Sequence, residues 1–409
     1  MFKNIQFNLK EVISDFFDSQ QSEEIFKLLD LEGTSSEKSE ISGINKPDIT
    51  LASGILTKTK IDLLVTYASS RISEDNFLTL ILLLSNTALT FGDFATAANL
   101  SDKIIFISED NTLLKSVAGN AHLVKGEIFS RQANWESSLA EIDRARNIFL
   151  GINENDGIAK CENLLGTIYG DLGNLTNAEE HFESALSFSN DRSNYSFTGK
   201  IEINLGIVNT IRGKYDAAIS FFKRALINFE KISELKRIAE INHNMGMVYS
   251  KKSDFTTALY YFDECIRMSV NLGYLQTCGL AYLSKAFVYS QMNDFELSLA
   301  FADKAMEIAY KLDDKLTIAE VYKIKGIIHR DTKNYSAAEN LLLTSLRINS
   351  ETGNKLNEAE TYHELGLLYK EMSLIEKSKT SLDKALEYFK KINAEPEVKK
   401  LESILNYLI

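Results

Sequence analysis

The chain has few residues that interrupt helices or cross-link a fold. Its 409 residues include two prolines, Pro47 and Pro396, and three cysteines, Cys161, Cys265 and Cys278. Because proline lacks a backbone N–H and breaks helices, its scarcity favours long helical segments. The cysteines are few, odd in number and placed within helical patterns. We interpret them as reduced core thiols, which excludes a disulfide framework.

Long hydrophobic runs and a basic surface are also lacking. The most apolar stretch, residues 77–84, is far shorter than the ~20 residues that a membrane-spanning helix needs. Residues 1–4 do not resemble the start of a signal peptide. The formal net charge is −12, which argues against a nucleic-acid backbone as partner. We therefore expect a cytoplasmic protein that binds neither nucleic acid nor membrane.

A small residue inside an apolar pattern recurs at a constant spacing of 40 residues. Its positions are Gly126, Gly166, Gly206, Gly246, Ala286, Gly326 and Gly366. Positions counted from it are called offsets. Offsets −7, 0 and +3 lie on one face of a first helix, and offsets +9, +12, +16 and +19 follow one face of a second. Each unit is therefore predicted to be a helical hairpin in which the small columns let the two helices approach closely.

The repeat columns match a known pattern. Leu165, Gly166 and Tyr169, followed by Ala178 and Phe182, reproduce the signature of tetratricopeptide repeats (TPRs), so the chain resembles TPR proteins. The resemblance covers roughly residues 116–390. The repeat period in this chain is 40 residues, whereas the commonest form of the family has about 34. The proline that usually ends the second helix is missing. This long-repeat form is similar to the kinesin light chain, to cell-polarity adaptors and to bacterial TPR regulators.

The resemblance implies an all-α fold, an α-α superhelix (TPR solenoid) of about seven to eight hairpins with capping helices at its ends. We predict an N-terminal amphipathic helical segment at 1–32, a linker at 33–56, lead-in helices and a degenerate repeat at 57–115, seven TPR-like repeats at 116–393, and a C-terminal capping helix at 394–409. The N-terminal segment could cap the solenoid, fold back into its groove or dock a partner.

First helices line the groove of such a solenoid, so the polar offsets −6, −3, −2, +4 and +5 are expected to face it. In long-repeat relatives an Asn in the Asn-Leu-Gly step binds the backbone of an extended peptide, and the resemblance implies this role for Asn204 and Asn244. The alternative is that these side chains are merely solvated. The candidate peptide-binding residues are Lys160, Lys200, Asn204, His243, Asn244, Lys251, Ser284, Lys323 and Arg330.

Offset +1 is apolar in three successive repeats. Ile207, Met247 and Phe287 occupy it. They could form a groove floor that receives peptide side chains, or they could pack between helices, which we favour here.

Catalytic patterns are missing from the sequence. The five histidines fall in different repeats, and His243 and His363 share a column but lie three repeats apart, too far for one metal. There is no glycine-rich phosphate loop or nucleophile elbow. We therefore predict a non-catalytic scaffold or adaptor, without cofactor or metal, that holds an extended peptide or a partner helix in its groove. The alternative is a regulatory switch whose solenoid pitch responds to a ligand or to the N-terminal segment.

Overall fold

A computed structural model gives the fold, and it is helical throughout the described part of the chain. The described residues are 13–29, 58–108, 111, 114–189 and 194–408. The predicted linker at 33–56 lies outside them. The all-α fold class predicted from the repeat pattern is confirmed.

The helices follow one another as hairpins. Before the repeats lie α1 (Ser19–Leu28), α2 (Lys58–Ala68), α3 (Glu74–Thr90) and α4 (Phe94–Ser108). The repeats comprise α5 (Lys115–Arg131) with α6 (Trp135–Gly151), α7 (Asn155–Asp171) with α8 (Leu175–Phe188), α9 (Tyr195–Ile211) with α10 (Tyr215–Lys231), α11 (Leu235–Lys251) with α12 (Phe255–Leu272), α13 (Leu275–Gln291) with α14 (Phe295–Leu312), α15 (Lys315–Asp331) with α16 (Tyr335–Glu351), and α17 (Lys355–Glu371) with α18 (Ile375–Lys391). A last helix, α19 (Glu395–Asn406), carries Pro396 in its first turn.

The small residues at offset 0 lie where the two helices of a hairpin come closest. A Cβ placed on Gly206 would stand 2.5 Å from Cε1 of Phe222, the residue at offset +16 of the same repeat. In the one repeat that has alanine in this column, Ala286, offset +16 is also alanine, Ala302, and both are fully buried. The close helix approach therefore depends on the summed size of the two facing side chains.

Each turn between the paired helices contains one residue with positive φ, at offset +7. These residues are Ala133, Gly173, Gly213, Ser253, Asn293, Lys333 and Ser373. In several repeats the next residue caps the second helix. For example, the Asp254 side chain accepts a hydrogen bond from the Thr257 backbone N–H, which satisfies one of the free donors at the helix start.

The chain divides into two compact units, Met1–Leu164 and Leu165–Ile409. In the first unit, Ile13 and Ile25 are fully buried in a core that includes side chains of α2 and α3. The described part of the N-terminal segment is thus built into that core. In the second unit, α19 covers the last hairpin by burying Leu401.

Candidate functional site

Polar side chains connect successive first helices of the second unit. His243 Nε2 on α11 lies 2.9 Å from Ser284 Oγ on α13. Lys323 on α15 donates to Glu360 on α17 over 2.5 Å. All four residues occupy the offsets −6, −3 or −2. We call the surface formed by the polar offsets −6, −3, −2, +4 and +5 of α9, α11, α13, α15 and α17 the groove surface.

Three neighbouring side chains of α11 and α13 form a part of the groove surface that is polar but uncharged near neutral pH. Burial lowers the pKa of His243 to about 4, although a hydrogen bond to Asn244 and one to the backbone of Leu280 oppose the shift. The imidazole is therefore neutral and has one donor and one acceptor nitrogen. His243, Asn244 and Ser284 together form a neutral patch that can both donate and accept hydrogen bonds.

The neighbouring end of the groove surface is a network of paired charges. The Lys323 side chain is only 6% exposed, and its Nζ lies 2.7 Å from Glu320 and 2.5 Å from Glu360. Burial opposes its charge, but the two carboxylates outweigh burial and raise the pKa of Lys323. The positive charge of Lys251 also lowers the pKa of Glu360, and Lys251 Nζ lies 2.8 Å from Glu397 of α19.

Arg330 is paired in the same way. Its guanidinium bonds Glu364 of the next first helix, and its Nε lies 2.9 Å from Asp331. Burial favours the neutral form of Glu364, but Arg330 and other nearby cations outweigh it and keep the pKa of this carboxyl low. Lys323 and Arg330 therefore reach the groove surface as ion pairs rather than as free cations.

The carboxylates that pair with these cations were missed as site residues. Glu320 and Glu360 lie at offset −6, one of the offsets expected to face the groove, so they could have been found. Glu364 stands at offset −2, the column that holds Asn204 and Asn244. Glu397 lies beyond the last repeat, and no repeat register points to it.

The candidate residues do not all lie together. Lys160 belongs to the first unit, where its Nζ lies 3.2 Å from Asn120 Oδ1, and the other candidates belong to the second unit. Lys200 is exposed and Asn204 partly exposed on α9, and each interacts with other residues. Asn204 and Asn244 occupy the same offset on consecutive first helices, α9 and α11.

The apolar column at offset +1 is more open than we predicted. Ile207 is 40% and Phe287 36% exposed. Met247 is partly buried, and its Sδ lies 3.4 Å from Ser284 Oγ. Ile207 and Phe287 are therefore not fully enclosed between helices, because more than a third of each residue faces solvent.

Several kinds of site are missing from the described residues. Within them, no group of three or more His, Cys, Asp or Glu side chains is arranged to hold a metal ion. The three cysteines are buried and unpaired, and burial raises the thiol pKa of Cys161 and Cys265 to about 12. None of the helices in the described ranges combines the length and apolar character needed to cross a bilayer.

Comparison with known proteins supports the repeat assignment. Family models described as tetratricopeptide repeat match residues 163–192, 197–269, 280–311 and 359–391. A comparison with curated proteins finds no match.

Several solved structures share the fold at low sequence identity. Aspartyl phosphate phosphatase F from Bacillus subtilis is 14% identical, with a TM-score of 0.61, 81% of this chain covered and 89% of that one. The apo quorum sensor NprR from B. thuringiensis is 15% identical, with a TM-score of 0.59 and coverage of 81% and 92%. The Rap conjugation gene regulator of plasmid pLS20, solved with the Phr* peptide, is 19% identical, with a TM-score of 0.55 and coverage of 82% and 89%. Four segments of the chain thus match tetratricopeptide-repeat models, and the fold is similar to that of these three solved structures.

Proposed function

We propose that the protein is a non-catalytic scaffold or regulator that binds an extended peptide, or an extended segment of a protein partner, along the groove surface. The observation that carries this proposal is the column of Asn204, Asn244 and Ser284. These residues occupy one offset on three consecutive first helices, and the two amides are partly exposed. No cofactor, metal, nucleic acid or membrane is part of the proposal.

An amide column suits a peptide backbone for two reasons. Each amide offers a donor and an acceptor, which matches the N–H and C=O of one residue. Packed helices lie roughly 8–10 Å apart, and an extended chain rises about 3.3 Å per residue, so each helix in the column meets about every third residue of the ligand. A peptide of about six residues then spans the column.

The surroundings of the column give the site chemical character. Exposed Ile207 and Phe287 supply apolar contact area beside the amides. The charged network on α15 and α17 holds more carboxylates than cations, since Lys323 alone is paired with two of them. This favours peptides with apolar side chains and a basic residue towards α17. The peptide-bound Rap regulator has a similar fold, which supports the proposal without identifying the ligand.

The test is selection and measurement with defined peptides. A displayed random heptapeptide library is selected on the full chain, and enriched sequences are synthesised with a fluorophore for anisotropy titration. The variant N204A/N244A removes two backbone-binding amides, each worth about 1 kcal/mol, so affinity is expected to fall roughly tenfold to thirtyfold. The matched control N271A/N340A changes exposed asparagines on the second helices α12 and α16 and is expected to bind normally. Equal affinity of N204A/N244A and this control would overturn the proposed site.

A regulatory output is the second candidate. It is favoured by contacts of Ile392 and Pro396 with the turns that follow α7 and α9.

A further inference from the structure

Residues near the C-terminal end of the second unit contact two turns near its start. Ile392, in the turn before α19, packs against Gly173, in the turn between α7 and α8. Pro396, in the first turn of α19, packs against Gly213, where an added Cβ would stand 2.5 Å from the proline Cγ. The last and first hairpins of the unit are therefore in direct contact.

The two glycines are explained by this contact and not by backbone conformation alone. Gly173 and Gly213 have φ of 77° and 74°, in the left-handed region where glycine is usual. Five other repeats adopt positive φ at the same offset with a side chain, namely at Ala133, Ser253, Asn293, Lys333 and Ser373. A Cβ is thus tolerated at this turn. Glycine stands in the two turns of the second unit where the C-terminal residues would meet that Cβ.

The contact extends to the groove surface. Glu397 Oε1 accepts from Lys251 Nζ over 2.8 Å, and Lys251 lies at offset +5 of α11. The other oxygen, Glu397 Oε2, is buried and has no hydrogen-bond partner among the described residues. A buried carboxylate oxygen without a donor is unfavourable, so this contact is incomplete as it stands.

We propose that residues 392–397, here called the clasp, hold the array of the second unit closed around the groove surface, and that a peptide bound there stabilises the closed state. The regulatory part of this inference rests on the proposed peptide site. Lys251 and Glu397 couple the clasp to the groove surface, and a ligand donor that satisfies Glu397 binds the closed state better than an open one. Such differential binding shifts the population towards the closed state. By linkage, weakening the clasp weakens peptide binding.

The clasp itself is tested first, without any ligand. Nitroxide labels are placed on Ser220→Cys in α10 and Lys399→Cys in α19, both exposed, in the full chain. The native cysteines are buried and label poorly. Gly173→Asn and Gly213→Asn together add side chains against the clasp. The matched control, Ser253→Asn with Ser373→Asn, places the same side chain at a similar positive φ in the turns after α11 and α17.

Electron paramagnetic resonance then measures the distance between the labels. We expect one narrow distance distribution in the parent and in the control, and a longer, broader one in G173N/G213N with unchanged helix content. Glu397→Lys, which opposes Lys251 without altering a turn, is expected to lengthen the distance as well. The same narrow distribution in both G173N/G213N and E397K would overturn the clasp.

The coupling is tested with a peptide selected on the full chain. Affinity of G173N/G213N is expected to fall about tenfold against the S253N/S373N control, and saturating peptide should narrow its distance distribution. A longer label distance with unchanged affinity would overturn the coupling and leave the peptide site intact. Equal affinity of N204A/N244A and N271A/N340A, together with the label distances expected above, would overturn the peptide site and leave the clasp intact, so failure of the two proposals can be told apart.

Discussion

Single residues decide how closely the two helices of each hairpin pack. The pairing of Gly206 with Phe222, and of Ala286 with Ala302, shows that a methyl group in one helix is compensated by a loss of volume in the other. This exchange is visible in the sequence, because offsets 0 and +16 change together in the one repeat that departs from glycine.

We expect Gly206→Ala to destabilise the protein by about 1 kcal/mol. The clash with the Phe222 ring costs more than the helix propensity that alanine gains. Phe222→Ala alone leaves a cavity and costs about 3–5 kcal/mol. The double variant recreates the Ala286–Ala302 pair, so its loss should be smaller than the sum of the single losses by about 1–2 kcal/mol.

Urea unfolding of the four proteins in this cycle gives the coupling energy. Ala286→Gly is the control in the native alanine pair, and it should cost about 1 kcal/mol from helix propensity. Strictly additive losses in the cycle would contradict the packing argument.

His243 is expected to make stability fall in mild acid. Its folded pKa, about 4, lies below the ordinary value of 6.5, so the unfolded chain binds the proton more readily. The contribution of the neutral imidazole is complete above pH 6.5 and is lost as the pH falls towards 4. At about 1.4 kcal/mol per unit of pKa, the loss is at most about 3 kcal/mol.

The measurement compares His243→Gln with the parent chain by urea unfolding at pH 7, 5.5 and 4. Glutamine keeps a polar group near Ser284 but does not titrate. The parent should lose more stability than H243Q over this interval, since carboxylates titrate in both. Parallel pH profiles would contradict a partly buried histidine that stays neutral in the folded chain.

Residue identities could be assigned to columns from sequence, but their partners could not. Periodicity places Lys323 and Arg330 on the groove-facing offsets, yet it does not show that Glu320, Glu360 and Glu364 neutralise them. Ion pairing depends on the distance between helices of neighbouring repeats, which a column of letters does not contain. The same holds for Ser138, whose hydroxyl donates to the Gly126 carbonyl over 2.6 Å, although its column suggested only small size.

Among the elements, the second helices differ in how their first turns are capped. The side chain of Asp254 caps α12, whereas Leu374, at the same position before α18, has no side-chain oxygen to offer. Asp254→Ala should therefore destabilise the chain by about 1 kcal/mol, and Leu374→Asn should stabilise it by about 0.5–1 kcal/mol.

Amide hydrogen exchange is the suitable measurement, because it reports the protection of each helix separately. Protection of α12 should fall in D254A, and protection of α18 should rise in L374N. An unchanged or lower protection of α18 in L374N would show that its first turn is satisfied in another way.

Helices and turns were the most predictable part of the fold. The 40-residue period and the polar turns between apolar faces indicate hairpins, and the observed helices follow that spacing. Pro396 lies in the first turn of the last helix, inside the range predicted for the C-terminal capping helix. The division into two units was not predicted, because its boundary falls inside α7, where the repeat register continues without interruption.

At the scale of the whole second unit, the contact between its last and first hairpins depends on how much each repeat is rotated relative to the one before it, because these rotations add along the array. Small differences at each interface decide whether Ile392 reaches Gly173. Sequence periodicity does not fix those differences, so the clasp could not be predicted. Gly173 and Gly213 reflect this contact in the sequence. From the sequence alone, however, they look like ordinary turn glycines.

The proposed function requires a peptide to lie on the groove surface of the second unit. Photo-crosslinking detects this placement, with p-benzoylphenylalanine introduced at Phe287 in the groove or at Tyr260, which is 61% exposed on the second helix α12. With a selected peptide, we predict a crosslink from position 287, competed by unlabelled peptide, and none from position 260. Crosslinking from 260 but not from 287 would contradict the account.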